Sequence, residues 1–69
     1  MDLKEINQEY ENIMHSNHSD DKKAQLLAQL MTQMERQFSI PMLKNQEWEN
    51  QNRKVIALYR KISRSRIFD

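Results

Sequence analysis

Ala24-Gln25-Leu26-Leu27-Ala28-Gln29-Leu30-Met31-Thr32-Gln33-Met34-Glu35-Arg36-Gln37-Phe38 decides how this chain folds. Leu26, Leu27, Leu30, Met31, Met34 and Phe38 return at three- and four-residue steps with Ala24 beside them, which gathers them on one side of an α-helix. At about 100° per residue they cover about 160° of the helix surface, more than one neighbouring helix can bury. The helix is therefore expected in the middle of a bundle, touching two others. Gln25, Gln29, Thr32, Gln33 and Arg36 fill its opposite face. Upstream, Ser19, Asp20 and Asp21 supply a cap and negative charge where the helix exposes unpaired amides. Downstream, Pro41 disfavours helical backbone at Ile40, so the helix is bounded at about 20–38.

Working outward, Asp2 with Glu5 three positions later forms a capping-box pattern. Leu3, Ile6, Tyr10, Ile13 and Met14 follow on one stripe, with Glu5, Glu9 and Glu11 off it. The polar run His15-Ser16-Asn17-His18 favours a turn and closes a first helix of about 2–16. On the C-terminal side, Asn45 is a cap with Glu47 and Glu49 in the first turn, and a third helix is expected over about 46–64. On a wheel, Trp48, Val55, Leu58, Tyr59 and Ile62 share one side, and Arg53, Lys54, Arg60, Lys61 and Arg64 share the other. Beyond Ser65 the helix would carry Arg66 into the apolar stripe, so Ile67 and Phe68 are expected to turn back onto the bundle or onto a partner. Ile40, Met42 and Leu43 are expected to fold over one end of the bundle.

The expected fold is all-α, a small three-helix antiparallel bundle forming one helical domain over 1–69. The absence of Gly, a single Pro, and abundant Gln, Asn, Glu, Lys, Leu and Met favour helices joined by short connections. A chain of 69 residues buries only about 60% of the surface it exposes when unfolded. Such a core rarely supplies more than about 3 to 5 kcal/mol, and disulfides, a metal or oligomerisation commonly add to it. There is no Cys, and the apolar residues exceed what three short helices bury, so completion by homodimerisation is expected. The absence of Cys fits a reducing compartment. No apolar run approaches the length of a membrane span, and the first residues lack a basic flank followed by an apolar stretch. A cytoplasmic protein is expected, with no transmembrane segment.

Charge divides the chain. From Arg53 to Asp69 there are six bases and one acid, net +5, whereas residues 1–52 carry five bases and nine acids, net −4. Such a chain either pairs with itself, Glu5, Glu9 and Glu11 meeting the basic helix, or offers that helix to an anionic partner. Arg53, Lys54, Arg60, Lys61 and Arg64, with the apolar pair Ile67 and Phe68, are the candidate partner-binding residues. An acidic protein fits them, and so does phosphate contacted by charge alone. The near-neutral total and the lack of a Gly-containing helix-turn-helix turn argue against a dedicated DNA reader. A peripheral membrane helix would need bulky apolar residues beside its bases, for which only Ile56, Ile67 and Phe68 are candidates. Trp48, Tyr59 and the methionines sit at helical spacing, which places them in the core before any binding groove.

Chemistry is sparse. Glu11, His15 and His18 stand at i, i+4 and i+7, a metal-ligand spacing, but at an expected helix end with no further Cys or His to close the shell. No metal or other cofactor is expected. No Gly-rich phosphate loop exists, and Ser16 beside His15 does not place a hydroxyl on an imidazole. The expectation is a non-enzymatic interaction or regulatory protein, with weak nucleic-acid binding through the basic face as the alternative.

The Ile40-Pro41 connection and the final run Val55-Ile56-Ala57-Leu58-Tyr59-Arg60-Lys61-Ile62-Ser63 are similar in kind to short bacterial proteins. At the level of fold, the pattern also resembles bacteriocin-immunity proteins, antiparallel helical bundles with a charged last helix. That resemblance implies action at the cytoplasmic side of the membrane and protection of a cell from a bacteriocin. It rests on a helix pattern and assigns no residue.

Overall fold

Asp2 accepts a hydrogen bond from the Glu5 amide at 2.8 Å, and the Glu5 carboxylate accepts one from the Asp2 amide at 3.4 Å. This capping box opens α1 (Leu3–Met14) in a computed structural model that describes residues 1–67. Ser19 caps α2 (Asp20–Phe38) through the Lys22 amide at 3.2 Å, with Asp20 and Asp21 in the first turn. Then follow α3 (Gln46–Gln51) and α4 (Arg53–Ser65), and the described residues contain no strand. Phe68, half of the expected apolar tail, lies outside the described residues.

The wide apolar stripe of α2 packs against both α1 and α4. The core is Ile6, Tyr10 and Ile13 from α1, Leu27, Leu30, Met31 and Met34 from α2, and Val55 and Ile62 from α4. Tyr10 is buried with its hydroxyl 2.8 Å from Ser65 Oγ, which ties α1 to the end of α4 while keeping the polar atom satisfied. At the end of α2, Ser39 takes a left-handed conformation (φ 54°, ψ 46°), and the Ile40 amide reaches back to the Glu35 carbonyl at 3.1 Å. A glycine ordinarily fills that position, and in a chain without glycine a serine carries the strain.

The uninterrupted helix expected over 46–64 is broken. Asn52 leaves helical geometry (φ −132°, ψ 47°), and its side-chain amide donates to the Trp48 carbonyl at 2.9 Å. Asparagine competes with the helix ladder in this way, and here it ends α3 while α4 starts one residue later. The break changes what can meet. In a continuous helix Glu49 and Arg60, eleven residues apart, would be separated by about 16.5 Å of rise. Instead Arg60 Nη2 donates to Glu49 Oε1 at 2.7 Å, so α3 turns back alongside α4.

The connection also departs from expectation. Ile40 packs against the core, but Met42 and Leu43 do not fold over the bundle and are 102% and 84% exposed. The segment is held at one end by Ile40 and at the other by the Asn45 cap, which accepts from the Trp48 amide at 3.0 Å. Met42 and Leu43 fall between these two anchors and stand outward. Ile67 does not turn back either and is 72% exposed. Arg66 lies over the nearby apolar surface instead, its guanidinium donating to Met31 Sδ at 3.7 Å.

Candidate functional site

On α4, Arg53, Arg60 and Arg64 repeat at i, i+7 and i+11, with exposed Ala57 between the first two, so they form one row along the helix. Lys54 and Lys61 form the adjoining row. Arg53, Lys54, Arg60 and Arg64 are exposed, and Lys61 is half-buried. The sequence-derived basic face is therefore a single surface of the fold. Two of its members have partners. Lys61 leans onto α1, its Nζ 3.8 Å from Glu11 and 4.8 Å from the centre of the Tyr10 ring. Arg60 is held by Glu49, whose side chain is only 11% exposed. Among the described residues, Arg53, Lys54 and Arg64 make no ion pair, and neither Glu5 nor Glu9 reaches the basic face. The acidic first helix thus covers one edge of that surface and leaves the rest to solvent.

A groove that the sequence did not reveal borders this face. The 40–45 connection forms one wall, with Met42 and Leu43 on it, and half-buried Trp48, Ile56 and Tyr59 form the floor. The break at Asn52 creates the hollow by turning α3 beside α4. One carboxylate lines it, Glu49, which is paired with Arg60; a second, Glu35, lines the adjoining hollow beside Ile40 and Met42 and accepts from the Tyr59 hydroxyl. Burial first, and then the bond to Glu35 and its charge, push the Tyr59 phenol up to about 12. On the cationic side are Lys44 and Arg60, with Arg53 in the adjoining hollow beside Ile56 and Ala57. The sequence signal was the apolar pair Met42-Leu43 in a connection just before Trp48. It became a groove only through the break.

No family model, curated protein or solved structure matches this chain. Glu11 and His15 lie together, Nε2 to Oε2 at 3.2 Å, while His18 is past the helix end and exposed. Among the described residues no three His, Asp or Glu side chains converge as a metal site. No helix among them is long and apolar enough to cross a membrane. No charged residue among them is fully buried, and Glu49, the side chain shielded by Arg60, is the most covered of the ion-paired groups.

Proposed function

We propose that this chain is a small non-enzymatic interaction protein that captures an acidic partner protein on the basic face of α4. The observation that carries this reading is that Arg53, Lys54 and Arg64 of the basic face are exposed and make no ion pair among the described residues, while Met42 and Leu43 of the connection, next to Arg60, are left in water. Charge guides the encounter and excludes wrong partners, and desolvated apolar contact holds the complex. Replacing Arg53, Lys54 and Arg64 together by Glu tests it. Arg60 and Lys61 are left alone because they brace α3 and α1. Circular dichroism should stay unchanged, while crosslinked complexes formed in cells by the wild-type chain should vanish. Complexes that persist in the variant would reject this surface.

Homodimerisation is the second reading, favoured by the same exposed Met42 and Leu43 together with Ile67. A sedimentation mass of one chain throughout micromolar dilution would remove it. Nucleic-acid binding rests on the basic row alone and has no use for the apolar residues beside it.

A further inference from the structure

We infer that the groove between the 40–45 connection and α4 receives an acidic amphipathic helix of another protein, an inference that rests on the interaction reading above. The groove has the parts of a helix-in-groove site: an aromatic and aliphatic floor from Trp48, Ile56 and Tyr59, and a wall of exposed Met42 and Leu43. Methionine and aromatic surfaces of this kind adapt to an apolar helix stripe.

Charge selects the occupant. Glu49 is neutralised by Arg60, while Glu35, in the adjoining hollow beside Ile40 and Met42, accepts from the neutral Tyr59 phenol and keeps its charge. Lys44 and Arg53 make no ion pair among the described residues. A docking helix therefore meets a net positive rim, Lys44, Arg53 and Arg60 against Glu35 and Glu49, beside an apolar floor, which an acidic amphipathic helix complements. A second copy docking groove to groove about a two-fold axis would instead bring two net positive rims together. Such like-charge contact opposes association.

The probe is a synthetic peptide of about 16 residues, long enough to sustain a helix, with Leu at i, i+4, i+7 and i+11 and Glu on its remaining faces. Its control carries Lys in place of every Glu. Trp48 is the chain's one tryptophan and lies in the groove, so its emission reports occupancy in the full-length protein. The expected result is a saturable blue shift with the acidic peptide, absent with the basic control and weakened by salt. Lys44→Glu combined with Leu43→Ser should weaken binding by about tenfold, from one rim charge and one apolar anchor. Both positions are exposed, so unchanged circular dichroism will show that the variant is folded.

No shift with the acidic peptide, or equal shifts with both peptides, overturns the inference. A blue shift that grows with protein concentration alone assigns the groove to a second copy and overturns it as well. A Trp48 response to duplex DNA in place of the acidic peptide does the same. If the peptide fails while cellular complexes still depend on Arg53, Lys54 and Arg64, the groove assignment falls and the basic-face reading stands. If both fail, both fall.

Discussion

Tyr59 joins the final helix to α2 through one hydroxyl, which donates to the Glu35 carboxylate at the edge of the groove. The neutral phenol makes that bond, and ionisation would set a phenolate against a carboxylate. Its pKa is raised in the fold from 10.0 to about 12, so its contribution to stability is whole below pH 10 and is lost as pH climbs through about 12. Tyr59→Phe should make stability fall less between pH 10 and 12 than in the wild type, read as thermal midpoints across that window. Identical pH profiles would show that ionisation of Tyr59 does not govern stability in that window. The identities of both residues were plain in the sequence. Their meeting was not, because it joins positions 24 residues apart on different helices.

The break between α3 and α4 shows how little sequence is needed to redirect an element. Trp48 and Val55 keep a seven-residue spacing through it, so the apolar periodicity reads as one continuous helix. Asn50-Gln51-Asn52 is the weak point, and Asn52 is where a side-chain bond to Trp48 replaces helical backbone geometry. Asn52→Ala removes that bond and favours helix by about 0.6 kcal/mol at this position. The expected outcome is fusion of α3 with α4, seen as slightly higher helicity by circular dichroism. Trp48 emission should move to the red as the groove opens. If helicity and emission both stay as they are, packing of Trp48 against the core imposes the break and Asn52 merely accommodates it.

Across the whole molecule, stability rests on a thin core and binding on residues that contribute little to it. Leu27 is fully buried, and Leu27→Ala should cost about 2 to 5 kcal/mol, as much as the roughly 3 to 5 kcal/mol that a core of this size rarely exceeds. Leu43 is 84% exposed, and Leu43→Ser should change stability by no more than about 0.5 kcal/mol. Urea unfolding separates the two: the first variant should be largely unfolded before denaturant is added, and the second should keep the wild-type midpoint. A large loss in Leu43→Ser would mean that the connection is covered in solution. The sequence by itself determined the all-helical class, the caps at Asp2, Ser19 and Asn45, the central position of α2 and the rows of cations on α4. Those properties follow from spacings of a few residues, which helical geometry turns directly into faces and ends. Tertiary structure alone decided that Lys61 meets Glu11 while Arg53, Lys54 and Arg64 make no ion pair among the described residues, and that Arg60 takes Glu49. It also decided that Met42 and Leu43 face water above a groove. The physical reason is that ion pairing and exposure depend on how separate helices are placed against one another, and a one-residue departure at Asn52 redirects α3 while leaving the local periodicity untouched.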